Sequence, residues 1–261
     1  MDRPRVVSRD EWLTARKALL AREKELTRLR DSVSTERRNL PWVKVEKNYV
    51  FDSSNGKQTL ADLFDGRTQL IVYHFMFDPR WEEGCPSCSF LVDHVDGALV
   101  HLAARDVTFV VVSRAPLAEI RPFQQRMGWR FKWVSSHGSD FNYDFHVTMD
   151  EAVAPVEYNY RDKATLEQLG HNYHVKGEQP GASAFLRNGD RVYHTYSTYG
   201  RGLDLLVGAY NWLDLAPNGR DEDGLAFTMA WVRHHDRYGD GYAVDAAAQY
   251  VTPKESDSCC A

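Results

Sequence analysis

Residues 69–94, QLIVYHFMFDPRWEEGCPSCSFLVDH, run an apolar segment straight into two cysteines, Cys85 and Cys88. Residues 70–77 (LIVYHFMF) are aliphatic and aromatic and are stopped by Asp78-Pro79, the pattern of a strand buried on both faces. Beyond Cys85 the period changes. Cys88, Leu91, Val92, Val95, Leu99 and Leu102 recur at helical spacing, and Pro86 falls where a first-turn proline sacrifices no hydrogen bond. A chain of this pattern delivers a dithiol from a central strand to a helix start, with both sulfurs on one helical face. Free N–H groups and the positive end of the helix favour thiolate there. Cys85, at the open end, is the expected accessible nucleophile, and Cys88, one turn further in, the resolving partner. Glu82 and Glu83 oppose that polarisation wherever they point inward.

The remaining pattern surrounds this junction with alternating elements. Ser8-Arg9-Asp10-Glu11 has the form of a capping box, and Trp12, Ala15, Leu19, Leu26, Leu29 and Val33 keep a near-heptad stripe behind it. A long helix is predicted, ended by Asn39-Leu40-Pro41. Its stripe is short and Arg22 sits inward, so docking on the body is favoured over pairing with a second copy. A strand is predicted over residues 42–51, a turn at Asn55-Gly56 and a helical turn over 59–64. A second buried strand (VTFVVVS, 107–113), a helix over 116–127 and a short strand at 131–134 follow, and strand-helix alternation of this kind marks a sheet with parallel strands covered by helices. Residues 135–180 lose any clear period. Residues 182–186 and 191–197 flank Asn188-Gly189, the clearest hairpin signal, and Leu203, Leu206, Val207, Tyr210 and Leu213 predict a last core helix. The expected organisation is a helix over 1–40, one α/β domain over 41–245 with an insertion at about 135–180, and a disordered tail over 246–261.

Composition narrows the function classes. With 43% apolar residues and seven Trp the chain can bury a sizeable core, and a net charge of −5 gives no electrostatic reason to bind nucleic acid or an anionic membrane. The start, MDRPRVVSRDEW, has no signal-peptide core, and no run approaches the roughly 18 apolar residues of a membrane span. A cytoplasmic protein is expected. Its four cysteines form two pairs, Cys85/Cys88 and Cys259/Cys260, which in a reducing compartment point to redox or metal chemistry rather than a structural framework.

The lead-in NYVFDSSNGKQTLADLF, the strand LIVYHFMF, C-P-S-C at a helix start, VTFVVVS and the hairpin FLRNGDRVYHTY together resemble the thioredoxin-like superfamily. EWLTARKALLAREKELTRLRD, LPWVKVEKNYVFD, YHFMF, GCPSCSF, SDFNYDF, HTYSTYGRG and MAWVRHHDRY look like one bacterial branch of it, domain of unknown function eight-nine-nine, from about Trp12 to Tyr238. The resemblance implies a three-layer thioredoxin-like α/β fold with a central mixed sheet, a long N-terminal helix and an elaborated C-terminal half. It also implies a proline facing the dithiol. Pro180 is its counterpart, about one residue early. Peroxiredoxins carry Pro-x-x-x-Thr/Ser-x-x-Cys, whereas here Glu82 stands three before Cys85 and Pro79 six before it, which favours disulfide exchange over peroxide reduction.

The expected function is therefore thiol-disulfide exchange on a small thiol or a protein disulfide, with the Cys85–Cys88 couple itself as redox centre. Trp81, Pro86, Ser87, Arg114, Pro180 and Arg201 are candidates for substrate binding or support, with His194, Tyr196, Ser197 and Tyr199 lining a polar pocket beside Arg201. The alternative chemistry is zinc or another thiophilic metal on Cys85, Cys88, His74, His234 and His235. A peroxidase and a non-catalytic binding module are further alternatives. Cys259 and Cys260 are accessory thiols able to visit the main pair. The helix reading is tested by deleting the residues before Leu40: a lower melting temperature or a changed solution mass is expected, and unchanged values for both contradict it.

Overall fold

The chain divides into two units, residues 1–42 and 43–261. The computed structural model describes residues 5–239, so Cys259, Cys260 and the expected tail lie outside the described residues. The first unit contains one helix, α1 (Arg9–Arg38). Its capping box is formed: Glu11 N–H donates to Ser8 Oγ at 3.3 Å and Ser8 N–H donates to Glu11 Oε2 at 3.0 Å. Two donors that a helix start leaves without intrahelical partners are thereby satisfied.

In the second unit three short strands, β1 (Val43–Lys44), β2 (Val50–Ser53) and β3 (Gly56–Thr59), precede β4 (Gln69–His74). Next come α2 (Pro86–Val92), α3 (Leu99–Ala104), β5 (Val107–Ser113), α4 (Leu117–Arg126) and β6 (Lys132–Ser135). The irregular stretch resolves into small pieces: α5 (Phe141–Asp144), β7 (Thr148–Met149), β8 (Glu157–Tyr158), β9 (Arg161–Asp162), α6 (Lys163–Gln168) and β10 (Gly177–Glu178). The hairpin β11 (Gly181–Asn188) and β12 (Arg191–Tyr199) and then α7 (Gly208–Leu213) complete the unit.

Eight strands form one mixed sheet in the order β1-β12-β11-β4-β5-β6-β2-β3. β4 and β5, the two most apolar runs, pair in parallel at its centre, β6 extends the parallel part, and β11 joins β4 antiparallel. A central strand feeding a helix, with a parallel neighbour on one side and an antiparallel hairpin on the other, is the thioredoxin-like arrangement. Alternation along β4 sends successive side chains to opposite faces. Tyr73 joins the core that holds Cys85, Cys88, Phe123 and Trp133, whereas Leu70 and Val72 join the core of Phe51, Phe141, Phe145 and Phe185. No helix among the described residues is long and apolar enough to cross a membrane.

Three expectations are corrected. The helix predicted from Cys85 to Leu102 breaks after Val92, because Asp93 and Asp96 bond elsewhere. Asp93 accepts the Trp129 indole N–H at 2.7 Å, and Asp96 accepts the Arg130 and Phe131 N–H groups at 2.8 and 3.1 Å. The strand predicted over 42–51 splits since its ends serve different edges, Val43 pairing with His194 of β12 and Asp52 with Ser135 of β6. The last core helix is a 3-10 segment, Gly200–Leu206, followed by the separate α7.

Candidate functional site

Past His74 the backbone of β4 continues for three residues in a looser register, with Phe75 N–H donating to Val112 C=O at 2.9 Å and Ala115 N–H to Phe77 C=O at 2.8 Å. Met76, between them, turns both its backbone groups to the dithiol. Its carbonyl accepts from Cys85 N–H at 3.0 Å, and its N–H donates to Cys88 Sγ at 3.4 Å. Cys85 is the residue before α2 rather than its first turn, and its carbonyl accepts from Ser89 N–H at 3.0 Å and Ser89 Oγ at 2.9 Å. Pro86 opens the helix, as its missing N–H predicts.

The expected accessibility of Cys85 is corrected: both cysteines are only 1% exposed. The preceding loop is pressed inward. Gly84 leaves no room for a side chain, since a Cβ there would lie 2.6 Å from a Phe75 ring carbon and 2.7 Å from one of Phe123. His234 Nε2 donates to Gly84 C=O at 2.8 Å from outside. Accessibility therefore does not distinguish the sulfurs. Burial, then a hydrogen bond to Cys85 and the charge of that residue, push the Cys88 thiol well above its ordinary range, and bonds from Tyr73 and Met76 pull only partly the other way. Burial thus favours the thiol form of Cys88.

A charged clasp flanks the loop. Glu83 pairs with Arg126 and Arg237, and Arg126 Nε lies 3.1 Å from Asp236 Oδ2. Arg126 also donates to His234 Nδ1 at 3.0 Å, which fixes the neutral tautomer with its proton on Nε2, and burial lowers the pKa of that imidazole. The opposition of Glu83 to a thiolate is thus neutralised by two guanidiniums. Sequence alone offers His234 only as a metal ligand; the complementary charges of Glu83 and the Arg233-His234-His235-Asp236-Arg237 run are the signal that points to the clasp.

Arg114 follows β5 directly and is tied between two buried carboxylates, Asp78 at 3.1 Å and Glu178 at 2.7 Å. Burial opposes ionisation of Asp78, but Arg80 and Arg114 hold its carboxyl below the usual range, whereas burial raises that of Glu178. The neighbouring Gln179 accepts from His174 and donates to Tyr173 C=O and Lys176 C=O, fixing the 3-10 segment Asn172–Val175 against β10. Pro180 enters β11 two residues before Ala182, the cross-strand neighbour of Tyr73, and its carbonyl accepts from Tyr158 Oη at 2.8 Å. Trp81 packs against the dithiol core, and Ser87 lies within α2.

Other candidates are not brought to the dithiol. Arg201 is 88% exposed in its side chain and pairs with Asp204 at 3.1 Å, because the segment carrying it turns to solvent after β12. His194, Ser197 and Tyr199 face the other side of the sheet: Tyr199 Oη donates to Phe145 C=O at 3.0 Å, and Ser197 joins a chain His74–Ser183–Ser197–His194 with links of 2.8, 2.7 and 2.7 Å. His74 belongs to that face by strand alternation and stacks against Phe145. The five residues of the metal alternative are accordingly divided. His74 lies across the sheet, His234 holds the Gly84 carbonyl, and His235 Nδ1 lies 2.8 Å from Asp93. Among the described residues no group of three or more His, Cys, Asp and Glu could hold a metal ion.

Fold and site together define a thioredoxin-like α/β protein with a buried dithiol at a strand-to-helix junction. Residues 1–238 match the family described as "Bacterial protein of unknown function (DUF899)", and the chain belongs to that family. Among solved structures it is similar to a cysteine-to-serine mutant of PrxQ from Xylella fastidiosa, with 13% identity over 66% of this chain and 94% of that one and a TM-score of 0.42. It is likewise similar to peroxidoxin BcpB of Mycobacterium tuberculosis, with 11% identity, 64% and 94% coverage and a TM-score of 0.43. Likeness at that level fixes neither activity nor substrate. No curated protein is detectably similar in sequence.

Burial, followed by the charge of His194, lowers the pKa of His74 to about 3. Its folded value lies below the unfolded one near 6.5, so acid favours the unfolded chain. Stability should fall as pH drops from about 6.5 toward 3, with a slope from this residue of up to about 1.4 kcal/mol per pH unit. Denaturant titrations over that range should show a smaller slope for His74→Asn than for the unaltered protein; equal slopes would contradict the assignment.

Proposed function

We propose that this protein is a thiol-disulfide oxidoreductase whose redox centre is Cys85–Cys88, with Cys85 the attacking sulfur and Cys88 the resolving one. The observation that carries this reading is the buried dithiol at the strand-to-helix junction, where Met76 N–H donates to Cys88 Sγ at 3.4 Å and burial raises the Cys88 thiol above its ordinary range. That asymmetry suits exchange. One sulfur opens the substrate disulfide while the other keeps its proton until a mixed disulfide has formed. The burial of both sulfurs favours a small disulfide, or an extended strand of one, over a bulky folded surface.

The clasp of Glu83, Arg126, His234 and Arg237 supports the same reading, since it fixes the Gly84–Cys85 backbone without placing unneutralised negative charge beside the thiolate. Cytoplasmic residence, in a compartment that keeps the dithiol reduced, is part of the proposal. Cys88→Ser should trap a mixed disulfide on Cys85, whereas Cys85→Ser should abolish exchange without trapping anything, as mass spectrometry after addition of a small disulfide will read. Disulfide reduction should also outpace hydroperoxide consumption. Trapping on Cys88, or faster peroxide turnover, would overturn the proposal in favour of another assignment or of a peroxidase.

A further inference from the structure

α1 is 30 residues long with none of them buried, about 45 Å of helix at roughly 1.5 Å per residue. One stripe along it is apolar. Trp12, Leu19, Leu26 and Val33 fall every seventh residue, and Ala15, Arg22 and Leu29 fill the intervening inward positions, the spacing of a coiled-coil seam that stops before Glu36. The five large apolar side chains of the stripe are between 42% and 60% exposed. A helix carrying such a stripe draws most of its stability from whatever covers it.

The residues flanking the stripe carry the charge pattern that selects the cover. On one side stand Glu11, Ala18, Glu25 and Ser32, and on the other Arg16, Glu23, Arg30 and Arg37. In two parallel copies in register, each residue of the first set meets the residue five positions further on in the second copy. Glu11 then faces Arg16 and Glu25 faces Arg30, each twice by symmetry, and no like charges are opposed. The fully overlapped antiparallel pair sets Glu23 against Glu23, Glu25 against Glu25 and Arg16 against Arg30, all of them repulsive. Arg22 is the one charge inside the seam, and it is what makes docking on the body the favoured reading of the sequence alone. In the helix it is neutralised by its own neighbour: Arg22 Nε lies 3.3 Å from Glu25 Oε2, which leaves Glu25 Oε1 for Arg30 of the second copy. A single polar residue at an inward position also fixes register, at some cost in stability.

Independently of the exchange function, we propose that α1 is a dimerisation helix: it pairs in parallel and in register with α1 of a second copy of this chain, the apolar stripe forming the seam and Glu25–Arg30 the central interchain contact. Sedimentation of the full chain should give twice the mass of one chain, falling to the monomer on dilution. A monomer throughout the micromolar range, as cover by the chain's own body would produce, overturns the inference. Glu25→Arg should weaken association about tenfold, because two attractive contacts become two repulsive ones, and adding Arg30→Glu should restore it. Loss of the Arg22–Glu25 pair alone would not be repaired by that second change, so an absence of rescue overturns the assignment. Val33→Cys reads the orientation. In the parallel pair residue 33 meets its own copy within disulfide reach, whereas in the fully overlapped antiparallel pair it faces Ala15 and the two copies of residue 33 lie about 27 Å apart. Peptide mapping after oxidation in a glutathione buffer should recover a link from residue 33 to residue 33; a dimer without it overturns the parallel arrangement. A dimer whose strength none of these changes alters is held by another surface, and that result also rejects the proposal.

Discussion

The backbone of Met76 is the hinge on which this structure turns. A strand leaving a parallel ladder carries N–H and C=O groups that must find partners once buried. In most strand exits they find water or a loop; at Met76 they find Cys88 Sγ and Cys85 N–H. The end of the β4–β5 pairing thus specifies where the dithiol lies. Phe75 and Phe77, on either side, keep their bonds to Val112 and Ala115, so the strand extension is pinned while its central residue is given over to the sulfurs.

In the proposed exchange two chemically identical side chains take different roles. A short helix of seven residues has a modest dipole, and both cysteines are equally hidden, so neither helix position nor access distinguishes them. The difference arises from partners. Cys88 meets Met76, Tyr73 and Cys85, and in a low-dielectric core burial and the Cys85 contact favour its thiol against the opposite pull of Tyr73 and Met76. From outside, the 233–237 segment neutralises Glu83 and holds the Gly84 carbonyl, so that the loop carrying Cys85 is braced on both sides.

Much of the framework is legible in the sequence because local chemistry dictates it. Ser8 and Glu11 close a box within one turn, Asn188-Gly189 admits a tight hairpin, and the apolar runs of β4 and β5 have no stable home except a covered sheet. The misreadings share a cause: each depends on partners distant in sequence. Helical spacing from Cys88 to Leu102 is genuine, yet Asp93 and Asp96 are drawn off by Trp129, Arg130 and Phe131. Arg114 does lie at a strand end, but nothing local foretells that Asp78 and Glu178 bind it from two directions. His194 and Ser197 read as neighbours of the dithiol, because the face a strand residue chooses is set by register and not by composition.

The central claim is that environment, and not exposure, divides the work between the two sulfurs. Alkylation of the reduced protein over a pH series, with peptide mapping of the labelled sites, tests it most directly. The account predicts that Cys85 is labelled first and that Cys88 follows only at distinctly more alkaline pH. Labelling of Cys88 first, or of both cysteines together across the series, would contradict it.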